Sequence, residues 1–196
     1  MKEAPGTGQV EFDGYVLEKL VSENEIRVMV QCLADEIHGD YHDRQILLVG
    51  ILKGANVFLV DLMRDLGRGN PEIGRPPMPV EIDFMQVSSY KNEKSTGVVQ
   101  EILGLRTEIS DRDVILVEDI LDTGKTLSGL LQQLAGRHPA SLEVCVLLDK
   151  QDRREVPIDA KYCGMAIPDK FVVGYGLDVN EHLRNLPYIG VVIGRI

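Results

Sequence analysis

Cysteine is scarce in this chain. Cys32, Cys145 and Cys163 form an odd, widely spaced set with no CxxC pair and no Cys/His cluster. That excludes a disulfide framework and a structural zinc site, and a reduced, cytoplasmic setting is expected. Cys145 and Cys163 lie in apolar stretches and are expected to be buried as small hydrophobes. Positive charge is also short: 21 Lys and Arg face 31 Asp and Glu, a net of −10 with His neutral. Such a chain lacks the basic face by which a general nucleic-acid binder neutralises phosphates or a peripheral protein holds anionic lipid. No apolar run approaches ~18 residues, so no membrane span is expected. The opening MKEAPGTGQVEFDG holds no apolar h-region, and no secretory leader is expected. Internal repeats, low-complexity tracts and a GxGxxG after any expected strand are missing too, which removes solenoids and dinucleotide folds.

What is present fits one globular domain over residues 1–196, with 44% hydrophobic and 27% charged residues. Ile26, Met29, Val30, Leu33 and Ile37 recur at helical spacing, predicting a helix over 25–40 with Gly39 as its stop. In the stretch 45–51, the residues after Gln45 form a continuous apolar run, as a strand covered on both faces would. Phe58, Leu59, Leu62, Met63 and Leu66 predict an amphipathic helix ending at Gly67. The stretch 67–79, with four prolines and three glycines, predicts a loop. Residues 80–87 read as a strand, 88–97 as a polar, turn-rich tip, and 98–102 as a strand returning beside the first. Long tips of this kind serve as lids. Residues 113–117 give the strongest buried-strand signal, followed by a helix stripe at Leu127, Leu130, Leu131 and Leu134 and a further strand at 144–148. Short apolar segments at 162–167, 171–175 and 188–193 complete the pattern. Strands alternating with helices predict an α/β fold with a largely parallel sheet flanked by helices.

In such a sheet, ligands bind beyond the carboxyl ends of the strands. The segment 117–126 lies at one of these ends. Asp122 to Thr126 opens a helix, so free amides and the helix dipole face the loop, and Thr123, Gly124 and Thr126 add hydroxyls and room for a phosphate monoester. Just before it stands the acidic pair Glu118-Asp119, after the four apolar residues 114–117. A plain N-cap at Asp122 or Thr123 would explain the helix start but not that pair, because buried carboxylates are costly unless paired, metal-bound or hydrogen-bonded to a ligand. Gly124-Lys125-Thr126 mimics the end of a Walker A loop, yet the pattern needs Gly where Asp119 stands. Two adjacent acids with an anion loop suit a phosphorylated ribose: the carboxylates take its hydroxyls, directly or through Mg²⁺, and the loop takes its 5′-phosphate.

From Val114 to Leu127 the sequence VILVEDILDTGKTL resembles the phosphoribosyl-pyrophosphate (PRPP) motif of the phosphoribosyltransferases, in the form of their hypoxanthine-guanine branch. Gly50-Ile51-Leu52-Lys53-Gly54 is similar to that branch's pyrophosphate loop, where the bond matching Leu52–Lys53 can be a cis peptide. Ser88-Ser89-Tyr90 resembles its flexible lid, and residues 167–178 (IPDKFVVGYGLD) resemble its base-binding segment, continued by Asn180, Glu181 and Arg184. Matches cover about residues 10–196 in the family's order.

The resemblance implies a type I phosphoribosyltransferase fold with a small hood from the chain ends, roughly 1–20 and 160–196, and a lid over roughly 88–100 that includes Ser89 and Tyr90. It implies an enzyme of purine salvage that joins hypoxanthine or guanine to PRPP, giving IMP or GMP and pyrophosphate. Leu52, Lys53, Gly54, Glu118, Asp119, Asp122, Thr123, Gly124, Lys125, Thr126 and Arg184 would hold PRPP. Glu118, Asp119 and Asp178 would hold Mg²⁺, Asp178 mostly through water. Asp122 would be the general base or acid at purine N7. Lys150 would bond O6, Phe171 would stack on the base, and the carbonyls of Val172 and Asp178 would receive a 2-amino group. Taken without the family, Lys150 reads as an exposed strand-end lysine, Arg184 as a solvated arginine and Phe171 as core. The family also implies a homodimer or homotetramer. Xanthine or pyrimidine specificity, or a non-catalytic RNA-binding regulator on this fold, are the alternatives.

Overall fold

The computed structural model describes residues 2–3, 9–88 and 100–195. In chain order the elements are β1 (Lys2–Glu3), β2 (Gln9–Phe12), β3 (Tyr15–Val21), α1 (Glu23–Tyr41), β4 (Ile46–Leu52), α2 (Asn56–Arg68), β5 (Val80–Ser88), β6 (Gln100–Leu103), β7 (Asp113–Leu121), α3 (Lys125–Ala135), β8 (Ser141–Asp149), β9 (Tyr162–Ala166), β10 (Val172–Val173) and β11 (Ile189–Arg195). The main sheet runs β6-β5-β4-β7-β8-β9, parallel from β5 to β9, with β6 antiparallel at one edge. A second, antiparallel sheet runs β1-β2-β3-β11-β10.

The apolar runs work as strands because both faces are covered. In β4 and β7, Ile46, Leu48, Ile115 and Val117 pack towards α1 and α2, while Leu47, Val49, Val114 and Leu116 pack towards α3. This is the period-2 alternation of a strand, with an apolar residue at every position. α1 begins two residues earlier than expected because Ser22 and Glu25 form a reciprocal capping box.

Four expectations need correcting. Gly39 does not stop α1, which runs on to the buried Tyr41; packing of that ring outweighs the ~1 kcal/mol a helical glycine costs. Gly67 does not end α2 either. The helix ends at Gly69, whose φ of 72° takes the left-handed region and lets its amide bond the Asp65 carbonyl at 3.1 Å. The hood does not start near residue 160, because β9 pairs parallel with β8 in the main sheet, and only β10 and β11 join β1–β3. Cys163 is exposed, since β9 is an edge strand with one open face; Cys145, inside β8, is buried as expected.

The proline-rich stretch is a loop with one 3₁₀ turn at Pro71–Ile73. A buried guanidinium fixes it: Arg75 reaches Asp35 of α1 at 2.6 Å and Asp65 of α2 at 2.8 Å. Residues 89–99, which include the expected lid residues Ser89 and Tyr90, lie outside the described residues.

Candidate active site

β4 and β7 are far apart in sequence yet lie side by side, Ile46 to Gly50 against Asp113 to Val117. Their carboxyl ends therefore deliver the 52–54 turn and the 118–126 segment to one place. Between them lies a cleft of about 250 Å³, lined by Leu52, Glu118, Asp119, Asp122, Thr123 and Thr126 among others. The Leu52–Lys53 peptide is cis.

β7 continues to Leu121, so the acidic pair sits on the strand itself rather than in the loop after it. Asp119 is only 7% exposed. Burial pushes its carboxyl above the ordinary carboxylate range, against the bonds it accepts from Glu118 and from the Ile120 amide at 2.9 Å. Glu118 is pushed up further, by burial first and by the Asp119 charge second. Both groups are thus reluctant anions until a cation or a hydroxyl donor meets them.

Glycines set the spacing. A Cβ on Gly54 would land on the Asp119 carboxylate, and one on Gly176, at φ +102°, would land on the Gly54 carbonyl. Gly124, at φ +83°, caps α3 with no side-chain bond, and a Cβ there would lie 2.6 Å from the Val156 carbonyl. The Lys125 amide meets Thr123 Oγ1 at 3.4 Å, and the Thr126 and Leu127 amides, which have no acceptor within the helix, remain for an anion. Asp122 is not the cap; its carboxylate is free of that duty. Lys125 does not line the cleft, and its ammonium pairs with Glu155.

The cations expected at the pyrophosphate are held by acids. Lys53 Nζ lies 3.1 Å from Glu181 Oε2. Arg184 donates to the Gly176 carbonyl at 2.7 Å and pairs with Asp178 at 2.8 Å and Glu181 at 3.1 Å. Its Nε is buried and unpartnered. Asp178 thus joins Arg184 and the Glu181 amide, at 2.8 Å, and not the Glu118–Asp119 pair. Among the described residues no three acids, histidines or cysteines converge as a metal cage. The donor set fits Mg²⁺ in its common form, one or two carboxylates with water and substrate oxygens completing the shell.

On the other flank, Lys150 is only 7% exposed although it ends a strand, and its Nζ lies 3.8 Å from Asp169. Phe171 is 55% exposed, so it is not core. Val172 is buried in β10. Asp122 accepts a bond from Arg153 Nε at 3.1 Å through its carboxylate and from Arg154 at 2.9 Å through its carbonyl. Arg154 also pairs with Asp149. Sequence reasoning passed over Arg153, Arg154 and Asp169; the signal was two adjacent arginines just after Lys150 in an acidic chain.

The family model for the phosphoribosyl transferase domain matches residues 19–180. The chain belongs to the phosphoribosyl transferase family. Among curated members, the hypoxanthine-guanine phosphoribosyltransferase of Staphylococcus epidermidis is 45% identical over 174 residues, 88% of this chain and 92% of that one. The Staphylococcus aureus protein of that name is 44% identical over 176 residues, 89% and 93% of the two chains. A Bacillus anthracis hypoxanthine-guanine phosphoribosyltransferase with HEPES in its active site superposes with a TM-score of 0.82 at 39% identity, covering 90% of this chain and 98% of that one. A Trypanosoma cruzi hypoxanthine phosphoribosyl transferase, studied for the role of its C-terminal region in oligomeric state and activity, gives 0.82 at 37% identity, covering 93% of this chain and 94% of that one. The phosphoribosyl transferase fold expected from the resemblance is therefore the fold of this chain. No described helix is long and apolar enough to cross a membrane.

Proposed function

We propose that this protein transfers the 5-phosphoribosyl group of PRPP to hypoxanthine or guanine, releasing pyrophosphate and IMP or GMP in purine salvage. The observation that supports the reading is the buried Lys150, whose amide bonds the carbonyl of the cleft residue Leu121 at 2.9 Å and whose Nζ lies 3.8 Å from Asp169, two residues before the exposed Phe171. An aromatic face and a donor-only charge are what an oxo-substituted purine needs.

Each residue then has a task. Thr123, Gly124, the Lys125 amide and Thr126 cradle the 5′-phosphate at the start of α3. Glu118 and Asp119 accept bonds from the ribose hydroxyls. Leu52, Lys53 and Gly54, with Arg184, hold the pyrophosphate. Lys150 donates to O6 and Phe171 stacks on the ring, while the carbonyls of Val172 and Asp178 receive guanine's 2-amino group. In the reaction the N9–C1′ bond forms, the bond from C1′ to the pyrophosphate oxygen breaks, and the N7 proton passes to the Asp122 carboxylate. Mg²⁺, when bound near Glu118 and Asp119 and, through water, Asp178, would neutralise charge on the departing pyrophosphate. The reading includes action in the cytoplasm, supported by the unpaired cysteines, and a homodimer or homotetramer, supported by the resemblance to a family of oligomers.

The test is a panel of hypoxanthine, guanine, xanthine, adenine and uracil with PRPP, with Mg²⁺ or EDTA. Turnover of hypoxanthine or guanine that stops in EDTA and returns with Mg²⁺ is expected. Preference for adenine or uracil would overturn the assignment of the base site, and full turnover in EDTA would remove the metal.

A further inference from the structure

The side chain that meets the Asp122 carboxylate in the structure is Arg153, which follows Lys150 in the short turn leaving β8. Its Nε bonds Asp122 Oδ1 at 3.1 Å, and its Nη1 lies 3.7 Å from Asp169 Oδ2. Lys150 Nζ lies 3.8 Å from the other oxygen of Asp169. One guanidinium therefore spans from the acid assigned to purine N7 to the acid beside the stacking ring, Asp169 being two residues before Phe171. The contacts raise the affinity of Arg153 for its proton, with the bond to Asp122 as the largest cause.

This arrangement bears on the proposed chemistry. Arg153 holds Oδ1, one of the two Asp122 oxygens that could meet N7, so a purine that bonds Asp122 there must displace the guanidinium. Arg153 and Asp122 are both substantially exposed, so the pair is of the weak, breakable kind, and a ligand that offers Asp122 a donor of its own can displace it. Asp169 supplies the second anchor on which the guanidinium stays when Asp122 lets go. Arg154 is placed differently: it holds the Asp122 backbone carbonyl and Asp149, so it fixes the loop while leaving the carboxylate free to turn.

We propose that Arg153 is a positioning residue that gates the purine site, capping Asp122 when no base is bound and competing with the incoming purine for that carboxylate. The inference rests on Asp122 as the group at N7. Its predicted signature is a penalty in purine affinity that the enzyme carries only while both Arg153 and Asp122 are present.

The experiment is a double-mutant cycle on the full chain, with Arg153→Ala, Asp122→Asn and the double variant, reading kcat and KM for hypoxanthine and KM for PRPP. Arg153→Ala is expected to lower the hypoxanthine KM by about 2–5-fold, the range an exposed ion pair supplies, with the PRPP KM as internal reference. Arg153→Lys, which keeps the charge but cannot span both acids, should fall between. In the Asp122→Asn background, removing Arg153 should lower the hypoxanthine KM by much less. A hypoxanthine KM that stays or rises in Arg153→Ala, or an equal fall in PRPP KM, would overturn the gate. An equal effect of Arg153→Ala with and without the Asp122 charge would do the same. A failure of the underlying assignment looks different: Asp122→Asn would then leave kcat intact.

Discussion

Replacing Glu118 by Gln should make the protein more stable and worse at holding PRPP. The two carboxyls of the acidic pair are both raised in the fold, Glu118 the more so, by burial and then by its neighbour's charge. A carboxyl that is harder to ionise in the folded chain than in the unfolded one contributes its full stability below its ordinary value of about 4.3. That contribution is lost as pH rises through the raised folded value. At neutral pH the native protein therefore carries a penalty that Gln lacks. Glu118 is shifted well up by burial, so removing its charge removes that penalty, and each 1 kcal/mol gained is about 2–4 °C in Tm for a chain of this size. The assay is thermal unfolding of both proteins between pH 4 and 8, with and without PRPP and Mg²⁺. The variant should melt higher at pH 7.5, the gap should shrink towards pH 4, and PRPP with Mg²⁺ should raise the native Tm more than the variant's. A variant that melts at or below the native protein at pH 7.5, or a gap indifferent to pH, would refute the reasoning.

Asp122→Asn keeps the shape and loses the proton acceptor; kcat should fall about 10²–10⁴-fold with PRPP KM little moved, and steady-state kinetics showing the reverse would assign Asp122 to loop geometry instead. Lys150 is buried and has donors only, so adenine's 6-amino group leaves its charge unmet; kcat/KM for adenine should lie about 10²–10⁴-fold below hypoxanthine, and Lys150→Gln should narrow that ratio, an unchanged ratio removing Lys150 from the base site. Gly54→Ala puts a methyl against the Asp119 carboxylate; the PRPP KM should rise about 10-fold or more, and an unaltered KM would show that Asp119 does not need its present position.

The acidic strand end and the helix start after it were legible because they are contiguous: Glu118 to Thr126 joins the end of β7 to the start of α3, and both periodicities announce themselves. The central strands were legible for the same reason, since burial on both faces leaves unbroken apolar runs. What escaped is what depends on distance in sequence. Arg153 to Asp122 and Asp169, and Lys53 to Glu181, are pairings that no local pattern encodes. The hood boundary failed because β9 and β10 are short, and only pairing tells which sheet a short apolar segment joins. Gly39 and Gly67 misled because a glycine's modest helix cost yields to tertiary packing, whereas Gly69, where the chain must take a positive φ, does end its helix.

The contact of Gly176 with the Gly54 carbonyl has a mechanical consequence. Two segments from opposite ends of the chain meet there as bare backbone, with no side chain between them to rotate out of the way. Tyr175 adds a strut, its hydroxyl bonding Asp61 of α2 at 2.8 Å. The segment that carries Asp178 and Arg184 is thereby riveted to the turn that carries Lys53. With Lys53 also 3.1 Å from Glu181, a tilt of either segment is resisted by the other, so the two behave as one mechanical unit.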